Sequence, residues 1–168
     1  KTLKQDISSA FNLFHLGDLF REKGDYEQAL DYAKQAVIIT HNNHHYRRAV
    51  CYSLHILGRI YLNMSDDKLA LENFTKSLEI QSQLNEKYVI SFLLKFIGEI
   101  YYQLGDYNKS IEFIEKSLNI YNEIKGINHN PLGILIELYK SYKEVGRTFN
   151  NQDIIELTLK KEFIQFNL

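Results

Sequence analysis

Residues 54–61 read LHILGRIY, and versions of this stretch recur before and after it. Residues 13–20 read LFHLGDLF, residues 94–101 read LKFIGEIY, and residues 135–142 read LIELYKSY, in which a tyrosine replaces the glycine. The repeated position falls at residues 17, 58, 98 and 139, which gives spacings of 41, 40 and 41 residues. A regular period of this length is typical of stacked supersecondary units and not of one irregular core.

Each copy lies in a segment whose apolar residues recur every three or four positions, and this period predicts a helix. A short stop signal follows seven residues after the repeated glycine, as at Gly24-Asp25 and Gly105-Asp106, and in weaker form at Ser65-Asp66. Glycine here ends one helix and aspartate caps the next, and Gln28 completes a capping box with Asp25. The sequence therefore predicts eight helices in four hairpins. The first helices are expected near residues 7–23, 45–64, 87–104 and 131–145, and the second helices near 26–41, 66–84, 107–125 and 151–166.

The composition is that of a folded, mainly helical chain. It has 168 residues, of which 45% are hydrophobic and 24% charged, and its formal net charge is -1. This charge gives no overall attraction to phosphate backbones, and no apolar run is long enough to span a bilayer, so we expect neither nucleic-acid nor membrane binding by this segment. Four hairpins use nearly the whole length, which predicts one domain over residues 1–168. Its repeats are expected at about 7–41, 45–84, 87–125 and 131–166.

The single cysteine, Cys51, lies in an apolar helical stretch and has no second cysteine to pair with. This usage favours a reducing compartment, so we expect a cytoplasmic protein. The first residues lack the apolar core of a secretory signal, and the chain does not begin with methionine. We therefore expect it to be a piece of a longer protein.

The repeat resembles the tetratricopeptide repeat, in which an apolar-x2-Leu-Gly-x2-Tyr pattern faces small and aromatic residues on the partner helix. The resemblance implies an all-α, right-handed superhelix of four helical hairpins that binds other proteins. Its period of about 34 residues is shorter than the period here. In their greater length, the repeats of this chain are similar to those of bacterial peptide-pheromone receptors of the Rap and PlcR type, and to those of Pins-type polarity adaptors. The residues expected to face the repeated glycines are Ala29 and Ala33, Ala70 and Phe74, and Ser110 and Ile114.

In the tetratricopeptide superhelix the first helices line a concave groove, and the resemblance implies that peptides bind there. Aromatic rings would supply contact area and single charges would set the register of the peptide. We expect Tyr52, Tyr102, Arg59 and Lys95 to lie on the true surface, whereas the pattern does not separate groove from inter-repeat core for Phe11, Phe14 and Phe92. Ile56 falls on the same face. The predicted groove residues are Phe14, His15, Asp18, Tyr52, His55, Arg59, Lys95, Phe96, Glu99 and Tyr102.

Several kinds of chemistry are not indicated by the sequence. It has no nucleophile motif, glycine-rich phosphate loop, paired carboxylates or metal tetrad, so we predict no enzyme, no catalytic residue, no metal and no cofactor. Residues 41–45 read HNNHH, for which a solvated loop explains the histidines better than a cation site. The carboxylate clamp of chaperone co-factors needs Lys and Asn four residues apart, and the equivalent positions here hold other residues. His15 and His55 could titrate near neutral pH, although hydrogen-bonded polar histidines explain them equally well.

The last segment, residues 154–166, is apolar on more than one stripe. A terminal repeat needs a polar outer face for solubility, so this edge indicates either that the native chain continues or that two copies associate. A homodimer of this kind would use Ile155, Leu159, Phe163 and Phe166.

Two functional hypotheses follow. In the first, the groove senses a short signalling peptide for a bacterial regulator, as in quorum sensing and transcriptional regulation. In the second, the array is a passive protein–protein assembly scaffold with no peptide ligand and no conformational switch.

Overall fold

The computed structural model describes residues 3–41, 47–124 and 131–147. Within these ranges every regular element is an α-helix and no strand occurs, which confirms the all-α prediction. The predicted eighth helix lies outside the described residues, together with Ile155, Leu159, Phe163 and Phe166. The helices are α1 (Leu3–Glu22), α2 (Tyr26–His41), α3 (Arg47–Asn63), α4 (Asp67–Leu84), α5 (Lys87–Gln103), α6 (Tyr107–Asn122) and α7 (Leu132–Glu144).

The chain divides into two compact units between Glu86 and Lys87. In the first unit α1 pairs with α2 and α3 with α4, and α3 also packs on α1 and α2. In the second unit α5 pairs with α6, and α7 packs on both. Among the described helices, none is long and apolar enough to cross a membrane.

The repeated glycine lies where the two helices of a hairpin come closest. A Cβ atom added at Gly58 would lie 2.7 Å from Cε1 of Phe74, and one at Gly98 would lie 2.4 Å from Cγ1 of Ile114. Phe74 and Ile114 are fully buried, so neither contact can move into solvent. The predicted facing residues Phe74 and Ile114 therefore meet these glycines, because only a hydrogen fits between the helices there, and the atoms nearest Gly17 belong to Ala29 and Ala33.

Alanines on α2 let this helix pack closely against two neighbours at once. Ala29, Ala33 and Ala36 are fully buried and share one core cluster with residues of α1 and α3. Burial of this apolar surface is the main favourable term that holds the hairpins together. The other buried members of this cluster are Ala10, Phe14, Ala49, Ile56, Leu57 and Ile60.

The described hairpin turns share one backbone geometry. Gly24, Ser65 and Gly105 have φ values of 80°, 60° and 77°, in the left-handed region. The next residue in each turn donates its backbone N–H to a carbonyl five residues earlier, as Asp25 does to Phe20 at 3.0 Å. This pattern satisfies the last carbonyls of the first helix and reverses the chain.

Aspartate caps the second helix after each of these turns. The carboxylates of Asp66 and Asp106 accept from the backbone N–H of Leu69 at 3.1 Å and of Lys109 at 3.2 Å. Asp25 accepts in the same way from Gln28, at 3.2 Å. The predicted capping box is only half formed, because the Gln28 amide donates to the Asp25 carboxylate at 2.8 Å and the Asp25 backbone N–H already bonds Phe20.

Ser65 occupies the left-handed position that glycine occupies in the other two turns. A residue with a Cβ pays about 1 kcal/mol in the left-handed region, whereas glycine does not. We expect Ser65→Gly to raise the free energy of unfolding by about 1 kcal/mol, measured by urea denaturation. Ser82→Gly, on the exposed face of α4, should instead lower it by about 0.5 kcal/mol. A loss of stability in Ser65→Gly would show that its φ is not strained.

Candidate functional site

A cavity of about 350 Å³ opens between α1 and α3 in the first unit. The two helices contribute the same four positions of the repeat, spaced so that they share one helix face. Six of the predicted groove residues lie here together, and Phe11 and Ile56 complete the lining. From α1 come Phe11, Phe14, His15 and Asp18, and from α3 come Tyr52, His55, Ile56 and Arg59.

Aromatic rings form the apolar part of this cavity. The Phe11 ring lies 5.5 Å from Phe14, edge to face, and 6.1 Å from Tyr52. Phe11 and Tyr52 are 39% and 42% exposed, whereas Phe14 is 4% exposed and belongs to the core. Two rings are thus available at the mouth of the cavity, and Phe14 contributes both to its wall and to the inter-helix core.

An ion-pair cluster forms the polar end of the cavity. Asp18 accepts from Nε of Arg21 at 2.7 Å and contacts a terminal guanidinium nitrogen of Arg59 at 3.1 Å. Arg21 also contacts Glu22 at 3.1 Å, and its side chain is 9% exposed. The Arg59–Asp18 contact joins α3 to α1. Our sequence reasoning missed Arg21, although its spacing of three residues from Asp18 on one helix face was the available signal.

His55 lies beside these charges. Burial lowers its pKa to about 4, and the positive charge of Arg59 lowers it further than the nearby Asp18 raises it. The ring also packs 6.0 Å from Phe74. His55 is therefore neutral at physiological pH, and the suggestion that it titrates near neutral pH is wrong.

The other four predicted groove residues lie on α5, in the second unit. Lys95 Nζ lies 3.0 Å from the Glu99 carboxylate and 4.6 Å from the centre of the Phe96 ring. Burial raises the pKa of Glu99, and the charge of Lys95 opposes that rise. The Tyr102 hydroxyl lies 3.4 Å from the Glu144 carboxylate of α7. These residues form a strip of paired charges and rings on one helix face.

Two predicted surface residues are more buried than we expected. The side chains of Arg59 and Lys95 are 27% and 15% exposed, because Arg59 lies against the Asp18 carboxylate and Lys95 against the Glu99 carboxylate. Tyr52 is exposed, and Tyr102 is partly buried.

The described ranges contain no cluster of metal-binding side chains, and their cysteine is buried. No group of three or more His, Cys, Asp or Glu side chains there could hold a metal ion. The HNNHH run extends outside the described residues. Cys51 is 1% exposed, and burial raises the pKa of its thiol to about 11, so the reactive thiolate is scarce at neutral pH.

Two family models, both described as tetratricopeptide repeat, match residues 6–83 and 96–124. Together they cover more than half of the chain. The curated proteins include no match to this sequence.

Solved structures share this fold at low sequence identity. The apo form of RapI is 21% identical with a TM-score of 0.76, over 95% of this chain and 43% of that one. Aspartyl phosphate phosphatase F from Bacillus subtilis is 15% identical with a TM-score of 0.78, over 92% of this chain and 39% of that one. A putative kinesin light chain from Podosopora anserina is 18% identical with a TM-score of 0.75, over 93% and 76%. The chain thus spans less than half the length of RapI and of phosphatase F.

Proposed function

Because the chain belongs to the tetratricopeptide repeat family, which forms protein-binding repeat modules, we propose that the face shared by α1 and α3 binds a peptide segment. The cavity between α1 and α3 takes one large apolar side chain of that peptide. The observation that carries this proposal is the convergence of Phe14, His15, Asp18, Tyr52, His55 and Arg59 on one cavity.

The geometry suits a peptide side chain better than a large cofactor. Ligand pockets span about 300 to 1,000 Å³, and a volume of about 350 Å³ lies at the small end of that range. Exposed rings such as Phe11 and Tyr52 are the kind of anchor that dominates peptide affinity, because they bury large apolar areas at little entropic cost.

The finer role that we propose is the sensing of a signalling peptide by a bacterial regulator, in the cytoplasm. The likeness in fold to RapI and phosphatase F and the period of about 40 residues support this role. The fold is typically a non-enzymatic binding scaffold, and we propose that this segment binds without catalysing a reaction.

Calorimetry with a library of short extended peptides tests the proposal. We expect members with a large apolar residue to bind with micromolar affinity, and Tyr52→Ala to weaken them about tenfold, since an aromatic anchor contributes more than 1 kcal/mol. Ile38→Ala is the matched control, because Ile38 is 65% exposed on α2, away from the cavity lining. If no peptide binds at millimolar concentration, the proposal fails and the assembly scaffold becomes the better hypothesis.

A further inference from the structure

Asp18 and Arg59 are unequally engaged at the polar end of the cavity. Asp18 is bonded to Arg21 at 2.7 Å, while Arg59 approaches its two carboxylate oxygens at 3.1 and 3.2 Å. Within the described part of the chain, Asp18 is the acidic group that Arg59 contacts. If Arg59 turned towards a ligand, Asp18 would therefore keep a charged hydrogen-bond partner, which lowers the cost of releasing Arg59.

The charges at this end favour an anionic ligand. Arg21, Arg59 and Asp18 together carry one excess positive charge, and the side chain of Glu22, which contacts Arg21, is 62% exposed to water that screens it. His55 adds no charge at neutral pH, because burial and the two arginines keep its pKa low. A ligand carboxylate would balance the cluster, whereas a ligand cation would lie beside the Arg59 guanidinium.

The remaining lining defines the other half of the ligand. Phe11, Phe14, Tyr52 and Ile56 surround the same space as Arg59. An apolar group and an anionic group must therefore reach the cavity together, from neighbouring positions of one molecule. The arginine side chain is the one best suited to bind the anionic group, because the fork of N–H donors on its guanidinium matches the two oxygens of a carboxylate.

We propose that the cavity recognises a large apolar side chain with a carboxylate beside it, and that Arg59 swings from Asp18 to bind that carboxylate. The inference rests on the proposed peptide-binding function and specifies its ligand. Two sources supply this chemistry, namely the C-terminal carboxylate of a peptide that ends in a large apolar residue, and an Asp or Glu side chain next to one.

Three acetylated pentapeptides separate these sources by calorimetry with the wild-type chain. The first ends in phenylalanine with a free carboxylate, the second is the C-terminal amide of the first, and the third is an amide with an internal Phe-Glu pair. We expect at least one carboxylate peptide to bind about tenfold more tightly than the second peptide, since hydrogen bonds to charged groups contribute about 1.5 to 3 kcal/mol. A preference for the first assigns the carboxylate to a C-terminus, and a preference for the third assigns it to an acidic side chain.

Variants of the receptor residue complete the test. Arg59→Gln should remove the preference, and Arg59→Lys should retain it in reduced form, with folding of both checked by thermal unfolding. Arg48→Gln should leave the preference intact, because Arg48 pairs with Glu86 and does not line the cavity. If all three peptides bind equally, the carboxylate inference is wrong while peptide binding stands. If none binds, both are wrong.

Discussion

Replacing Gly58 by alanine should lower the free energy of unfolding by about 3 kcal/mol, the upper end of the range for overpacked cores. The new Cβ would lie 2.7 to 2.9 Å from three ring carbons of Phe74. That ring is fully buried and flat, so it cannot rotate away as the end of a flexible chain would. The hairpin of α3 and α4 must then open, which exposes core surface. Urea denaturation of the purified chain measures the loss.

Three variants show whether the crowding itself is responsible. Gly133→Ala should leave stability unchanged or slightly higher, because nothing lies within 4 Å of its Cβ position. Gly17→Ala should cost less than Gly58→Ala, since its nearest contact, the Ala29 carbonyl oxygen, lies at 3.3 Å. Phe74→Leu makes room for the new Cβ. The double variant should therefore lose clearly less stability than the two single variants lose together. Simple additivity would contradict this explanation.

Acidification from pH 6.5 to pH 4 should cost the protein up to about 3 kcal/mol through His55 alone. Burial lowers the pKa of His55 from 6.5 to about 4 in the folded state. Between these values the unfolded chain binds a proton that the folded chain excludes, so stability rises with pH and is lost as the pH falls. The loss levels off below pH 4, where the folded state also becomes protonated. Urea denaturation at a series of pH values measures it.

The matched variants are His55→Phe and Tyr52→Phe, which both change a ring of the same cavity. His55→Phe should flatten the dependence of stability on pH between 6.5 and 4, whereas Tyr52→Phe should keep the wild-type slope. A His55→Phe variant with the wild-type slope would mean that other groups cause the acid sensitivity.

The hairpins were predictable because their signals are local. The sequence predicts α2 over residues 26–41, where the structure has it, and the largest difference among the other described bounds is at α1, which begins at Leu3 and not near residue 7. Glycine at the helix crossing and aspartate after the turn each act within a few residues of the chain. The start of α1 lacks such a signal, and an extra turn costs little once the helix has formed.

The cavity was predictable in its residues but not in its electrostatics. Equal positions on consecutive first helices come side by side, so the repeat register alone brings Asp18 near Arg59. The spacing of Arg21 from Asp18 permits an ion pair, but whether the pair forms depends on rotamers and burial that the sequence does not specify. The low pKa of His55 likewise depends on how much water the surrounding side chains exclude.

The central claim is that a peptide binds the face shared by α1 and α3. Its most direct test is an NMR titration of the isotope-labelled chain with the tightest peptide found by calorimetry. We predict that the largest amide shift changes fall in residues 11–18 and 52–59, around the cavity. Largest changes on the exposed faces of α2 and α4, with residues 11–18 and 52–59 unaffected, would contradict the claim.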